Sequence, residues 1–445
     1  MKIPFFTIKS LAGADEFRVL LAGRADPEEG AGAGFSVEKR VAEILSDVRG
    51  GGLEALLSYT RKYDSPAFRA EQFALSPSEL EQSARSIPGE DREILRQSIE
   101  NVRVFHLAQK EESRFITRRD GSLLGQMLLP VGRAGLYVPG GKGGDTPLIS
   151  SLIMGAVPAL VAGVAEIAVI SPPRADGTLN PYIPAVAHML GLTEVYAAGG
   201  AWAIAALAYG AGSLQAVDVI AGPGNIYVAA AKRLLIGRVG IDMIAGPSEI
   251  CIVADASANP AWIAADMLSQ AEHDALASAV LICTDRDLGR AVASELERQC
   301  QALPRRERAE SALTDFGAIF CVPNLDLAMQ LANSIAPEHL ELALADAWSC
   351  LPLVRNAGAV FIGQYAAEVF GDYYAGPNHV LPTMGTARFS SALSVSTFCK
   401  KSSIIAVSNN FAAQNAAAVA RLARLEGLEA HARAALCRLE GQSGL

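Results

Sequence analysis

Cysteine is absent before Cys251, and the seven present (Cys251, Cys283, Cys300, Cys321, Cys350, Cys399 and Cys437) include no CxxC pair. An odd, scattered set excludes a disulfide framework and a thiolate zinc site, and it suits reduced thiols packed as small core residues of a cytoplasmic protein. Blocks of Lys or Arg are also missing and the formal net charge is −9, so no nucleic-acid partner is expected. Met1 to Phe17 has too short an apolar core for an export signal. One apolar run, Leu148 to Ala165, approaches the ~20 residues that a bilayer requires. Ser150, Ser151, Gly155, Pro158 and Gly163 interrupt it, and Asp145 and Glu166 flank it. A buried helix capped by Thr146, with Pro147 at its first position, is expected there, and no membrane association.

Two nucleotide fingerprints are lacking as well. The glycine-rich stretch Pro139 to Gly144 does not meet the GxxxxGK spacing of a P-loop. Gly222, Pro223, Gly224 and Asn225 lack the third glycine of GxGxxG and an obvious ribose-binding acid. Both remain strand-to-helix junctions at which backbone N–H groups can approach an anion, and both equally suit plain tight connections.

What is present is a 445-residue chain that is 51% hydrophobic and 19% charged, enough for two or three domains of a compact α/β protein. Ser36 to Asp64 reads as two helices broken at Gly50, Gly51 and Gly52. Ser76, Pro77 and Glu79 form a capping box, and Glu90 to Arg114 reads as a further helix whose His106 is structural. Asp120-Gly121 marks a hairpin turn. From Glu166 onward strands and helices alternate, as they do again after Ser248, which predicts βα units, parallel sheets and ligands at the carboxyl ends of the strands. His188, on one of the intervening helices, is taken as structural.

In MLSQAEHD, Gln270 and His273 stand three residues apart in a segment that reads as helix, so both fall on one face. An imidazole and an amide oxygen there can supply half of a metal site, while the same spacing also suits an ordinary polar face. Glu338 precedes His339 after a proline at a helix end, where the two can converge from a loop for proton transfer. Asp372 and His379 share a turn-rich segment, and Glu426 and His431 lie near the end of a C-terminal helix.

Taken together, GLYVPGG at Gly135, GPGN at Gly222, DMIAGPSE at Asp242, LSQAEHD at Leu268, APEHLEL at Ala336, GDYYAGPNHVLPT at Gly371, TARFSSALSV at Thr386 and EGLEAH at Glu426 resemble the histidinol dehydrogenase family, from about Ser36 to Leu436. The resemblance implies two incomplete Rossmann-like βα domains flanking a cleft, with small helical extensions at both ends. Its boundaries would be an N-terminal extension at 1–34, a discontinuous first α/β domain at 35–133 and 249–386 with the metal and catalytic residues, an NAD-binding domain at 134–248, and a C-terminal extension at 387–445. It implies one zinc per subunit on Gln270, His273, Asp372 and His431. Glu338 and His339 match the catalytic pair. Ser248, His379 and Glu426 match substrate contacts, beside Gln270, His273, His339, Asp372 and His431. Tyr137 and Asn225 match NAD contacts, and Trp202 stands where the family commonly has Gln, so an indole that can stack but cannot accept a hydrogen bond occupies that position. The implied reaction takes L-histidinol through L-histidinaldehyde to L-histidine with two NAD, the last step of histidine biosynthesis. The implied assembly is a homodimer whose C-terminal segment reaches the partner's site.

Three other readings compete. A related zinc and NAD-dependent dehydrogenase of another alcohol, such as a sulfonated diol, would be expected to relax the contacts at Glu426 and His379. A zinc hydrolase leaves GLYVPGG and GPGN without a purpose. A non-catalytic metal-binding protein does not require Glu338 and His339.

Overall fold

The computed structural model describes residues 2–24 and 33–440. They group into two compact units, one within Met1–Gln109 and Gly132–Phe398, the other within Lys110–Val131 and Cys399–Leu445. Of the N-terminal 1–34 extension, residues 25–32 lie outside the described residues.

In chain order the strands are β1 (Phe5–Thr7), β2 (Arg114–Thr117) and β3 (Leu123–Pro130). Five follow in the expected NAD-binding segment, β4 (Arg133–Tyr137), β5 (Glu166–Ser171), β6 (Glu194–Ala197), β7 (Val219–Ala221) and β8 (Gly240–Ile241). Then come β9 (Glu249–Ala254), β10 (Ser278–Cys283), β11 (Ala318–Cys321), β12 (His339–Ala343), β13 (Ala359–Ile362) and β14 (Cys399–Ala406).

The first unit holds two parallel sheets, ordered β6-β5-β4-β7-β8 and β1-β11-β10-β9-β12-β13. The sequences EICIVA of β9 and SAVLIC of β10 are buried throughout, as strands covered on both faces must be. Ile250, Ile252 and Leu281 pack into one core layer, and Cys251, Val253 and Ile282 into the other. The N-terminal extension contributes β1 as an edge strand and the helix Asp15–Gly23, whose Phe17 and Leu21 join the second layer.

Several local expectations hold for stated reasons. Ser76 accepts the Glu79 N–H while Glu79 accepts the Ser76 N–H, closing the capping box at the start of Pro77–Ser86. The two helices expected around Gly50 to Gly52 are present within Ala33–Tyr63 and meet at Gly52, whose φ of 53° breaks the helical path. The long apolar run forms the helix Ile149–Ala162, but Thr146 does not cap it and Pro147 is not its first residue. Instead the Thr146 N–H bonds the Gly140 carbonyl and the Leu148 N–H bonds that of Pro139, so the loop retains those residues.

The second unit is an antiparallel sheet, β14-β3-β2, with the helices Asn409–Leu425 and Glu429–Glu440. The hairpin at Asp120-Gly121 is present, with the Ser122 N–H donated to Asp120. Its β3 strand pairs along β14, Gln126 opposite Ser403, so 110–131 groups with the C-terminal segment and not with the rest of 35–133. Such pairing between chain-distant strands leaves no local pattern to read.

Among the described residues no helix is long and apolar enough to cross a membrane.

Candidate active site

β9 and β12 run side by side with His339 opposite Ile250, which brings Glu338 and His339 to the start of β9. There the backbone of Glu249 serves both. Its N–H donates to Glu338 Oε2 at 2.9 Å, and its carbonyl accepts from His339 Nδ1 at 2.9 Å. Because a carbonyl can only accept, Nδ1 carries the proton and Nε2 holds the lone pair. That Nε2 is buried without a partner, aimed at the group that includes Asp372 Oδ1, 4.0 Å away. Burial, then the neighbouring imidazoles of His379 and His273, hold His339 down to about 4 against the lift from the Glu249 carbonyl, so it is neutral at pH 7. Burial drives Glu338 the other way, well above the usual carboxylate range. The pair therefore offers a free imidazole nitrogen beside a carboxylate made more basic than usual by burial.

This places Glu338 and His339 at the amino ends of β9 and β12, away from the carboxyl ends at which the alternation predicts ligands.

Gln270 and His273 do not share a helix face. The helix is Pro260–Ala271, capped at Glu272, and His273 follows it, its N–H turned back to the Gln270 carbonyl at 3.2 Å. Gln270 is 1% exposed and its Oε1 has no partner, a state that costs about 1–3 kcal/mol unless a ligand completes it. Asp372, His339 and Glu368 present ligand atoms within 4.8 Å of one another. Burial and the charge of Asp372 push Glu368 up to about 8, and burial raises Asp372 to about 6. Gln270 offers an amide oxygen without a partner, and Asp372 and His339 a carboxylate and an imidazole, donor types that suit a divalent zinc. Glu368 was not anticipated; one Glu in a QYAAEVF run carries no motif.

The loop bearing Asp372 and His379 is held from the helix Gly89–Ala108. Ser98 Oγ donates to the Tyr373 carbonyl and Asn101 Nδ2 to that of Tyr374, each at 2.8 Å. His106 is the satisfied core histidine that was expected, its Nδ1 donating to Val102 O at 2.8 Å. Its Nε2 accepts from Asn378 at 3.3 Å, immediately before His379. His379 Nδ1 in turn donates to the Asp372 carbonyl at 2.9 Å. His188 is exposed on its helix.

A cavity of about 520 Å³ lies elsewhere in the same unit, lined by Tyr137, Trp202 and Asn225 together with Arg40, Tyr63 and Asp64. Its walls include Tyr137 at the end of β4, Pro172 just after β5, Gly200 at the start of the helix that follows β6, and Asn225 in the turn after β7, so the cavity opens on the carboxyl side of this sheet. The volume is within the ~300–1,000 Å³ of ligand sites. Trp202 stacks on Tyr63 at 5.3 Å and Tyr59 at 6.0 Å between ring centres. Its indole N–H makes no hydrogen bond, although its dipole still favours the Asp64 carboxylate. Burial lifts Asp64 to about 7, against the Gly199 N–H it accepts at 3.2 Å. Tyr137 Oη accepts the Gly200 N–H at 3.3 Å, and Asn225 caps the helix Ile226–Leu234 by accepting from Tyr227 and Val228 N–H. Lys142, in the first glycine loop, is outside the residues whose side chains are described.

Ser248 directly precedes β9, and its carbonyl accepts the Ser278 N–H. Glu426 and His431 belong to the second unit, one capping Asn409–Leu425 and the other within Glu429–Glu440, and both are exposed.

The family model described as histidinol dehydrogenase matches residues 30–439. Curated proteins named histidinol dehydrogenase are similar across nearly the whole chain. That of Nitratidesulfovibrio vulgaris is 59% identical over 94% of this chain and 95% of its own. That of Oleidesulfovibrio alaskensis is 58% identical over 97% and 98%. The crystal structure of histidinol dehydrogenase from Elizabethkingia anophelis superposes with a TM-score of 0.91 at 32% identity, covering 99% of both chains.

Proposed function

The chain belongs to the histidinol dehydrogenase family, and from that premise we propose that it oxidises L-histidinol through L-histidinaldehyde to L-histidine, with NAD as the acceptor. The observation that carries the chemical reading is the buried lone pair of His339 Nε2 beside Glu338, with both side chains held by the backbone of one residue, Glu249. In the first oxidation His339 takes the hydroxyl proton. In the second, Glu338 takes a proton from the water that adds to the aldehyde. Ser248, His379 and Glu426 hold the amine and imidazole of the substrate.

Zinc on Gln270, His273, Asp372 and His431 would polarise the substrate oxygen, and NAD would accept hydride. The buried, unpartnered Gln270 oxygen supports this ligand set. The closer group of His339, Glu368 and Asp372 shares only Asp372 with it. Ligation by His339 Nε2 would remove the base, and Glu368, pushed up to about 8, better serves as a donor to Asp372. We assign His431 and Glu426 to the partner's site in a homodimer. The exposed Val419, Leu422, Leu425 and Leu428 around them favour a covered surface. The unpaired cysteines favour a reducing, cytoplasmic setting.

The test is NADH formation from L-histidinol, with two NADH expected per histidine formed. A chelator should stop turnover and added zinc restore it. Absence of NADH with zinc present would remove this reading.

Tyr137, Trp202 and Asn225 are assigned to NAD, with Trp202 extending the Tyr59 and Tyr63 stack onto a cofactor ring. An aromatic contact contributes about 0.5–1.5 kcal/mol, so Trp202→Gln should weaken NAD binding roughly 2- to 12-fold. Titration by calorimetry checks this, and unchanged or tighter binding would oppose a stacking role.

A further inference from the structure

The acid-base pair depends on the N–H and carbonyl of Glu249, which raises the question of what fixes that residue. The Glu249 side chain is buried and forms an ion pair with Arg24, whose side chain is 0% exposed. Arg24 caps the helix Asp15–Gly23 in the N-terminal extension. Its other guanidinium nitrogen donates to the Leu276 carbonyl at 2.9 Å, and the group lies over the Phe316 ring at 5.7 Å. Backbone, carboxylate and aromatic contacts thus fix one arginine in place. No other cation pairs with Glu249 among the described residues.

We infer that Arg24 is a positioning residue for catalysis, fixing Glu249 so that its N–H and carbonyl hold Glu338 and the His339 tautomer in register. A buried carboxylate that loses its partner must take up a proton or turn toward water, and either shift drags the backbone to which both catalytic side chains are tied. The N-terminal extension is then part of the active-site framework, although Arg24 touches neither substrate nor cofactor. This rests on the assignment of Glu338 and His339 as the acid-base pair.

The test compares wild type, Arg24→Gln, Arg24→Lys and the double variant Arg24→Gln/Glu249→Gln in the full-length enzyme loaded with zinc. Small displacements of catalytic groups cost up to about 10²-fold, so kcat of Arg24→Gln should fall roughly 10- to 100-fold, with KM for L-histidinol and NAD within about 3-fold of wild type. Arg24→Lys should recover part of kcat. The double variant, with no buried carboxylate to neutralise, should exceed Arg24→Gln. Wild-type kcat in Arg24→Gln would overturn the inference. So would a loss that raises both KM values and that neither Lys nor the double variant relieves, because that is the signature of general unfolding. If Arg24→Gln does not fold, Arg24→Lys and the double variant decide alone: wild-type kcat in both means that Arg24 has no such role, and a fall in kcat alone in Arg24→Lys supports it. A wild-type enzyme that makes no NADH fails the proposed function instead, and so the two failures are distinguishable.

Discussion

Substitution of His339 by asparagine is expected to lower kcat for L-histidinol oxidation by roughly 10²- to 10⁴-fold, the usual contribution of a positioned general base. Asparagine can keep a donor for the Glu249 carbonyl, the role Nδ1 plays at 2.9 Å, while removing the unpartnered Nε2. Structure and binding should therefore survive, and the loss should fall on kcat. Glu338→Gln makes the complementary change. It retains an oxygen for the Glu249 N–H but cannot take a proton from water. If the two residues divide the steps, His339→Asn slows oxidation of the alcohol, whereas Glu338→Gln slows oxidation of supplied L-histidinaldehyde and drops the yield from two NADH per substrate toward one. Stopped-flow NADH traces with alcohol and aldehyde separate these outcomes. Full turnover to histidine by Glu338→Gln would refute the division.

The βα alternation was legible because buried parallel strands such as EICIVA and SAVLIC are continuous apolar runs between helical periods. Tyr137, Trp202 and Asn225 were legible as one group only through the resemblance to the family's NAD contacts, since the glycine-marked junctions equally suit plain tight connections, and all three line one cavity. Arg40, Tyr63 and Asp64, which line the same cavity, were not, since a helix face turned toward a cavity has the same periodicity as one turned toward a core. His106 was readable as structural, but not its bond to Asn378, which lies far along the chain. Gln270 and His273 were found for a partly wrong reason. They appear on one face only if the helix continues, and it ends between them at Ala271, leaving His273 free to be aimed by a turn. The amino-end position of Glu338 and His339 depends on register between β9 and β12, which becomes available only once the strands are paired.

The second large effect concerns the turn after β7, which leads to Asn225 in the wall of the cavity of about 520 Å³. Lys232 and Asp242 form a buried ion pair at 2.5 Å, their side chains 2% and 0% exposed. Both also hold Gly222: Lys232 Nζ donates to its carbonyl and Asp242 Oδ2 accepts its N–H, each at 2.9 Å. Gly222 needs that grip. Its φ is 122°, and a Cβ there would stand 2.0 Å from the Tyr137 carbonyl, so the turn after β7 packs directly against the end of β4. Breaking such a pair from one side leaves a buried charge without a partner and costs about 3–5 kcal/mol. Lys232→Met should therefore destabilise the protein by that amount. With an unfolding entropy of about 2.1 cal/mol/K per residue, the melting temperature would fall by roughly 3–5 °C. Lys232→Met/Asp242→Leu should recover much of the loss, because the stranded carboxylate is gone. NAD binding should be weak in both variants, since the single variant loses the Lys232 bond to the Gly222 carbonyl and the double variant loses the Asp242 bond to its N–H as well, and these bonds set Gly222 and, three residues on, Asn225. Differential scanning calorimetry together with NAD titration tests the two roles separately. A single variant as stable as wild type would deny the pair its structural role, and a destabilised variant that binds NAD normally would deny its role in shaping the cavity.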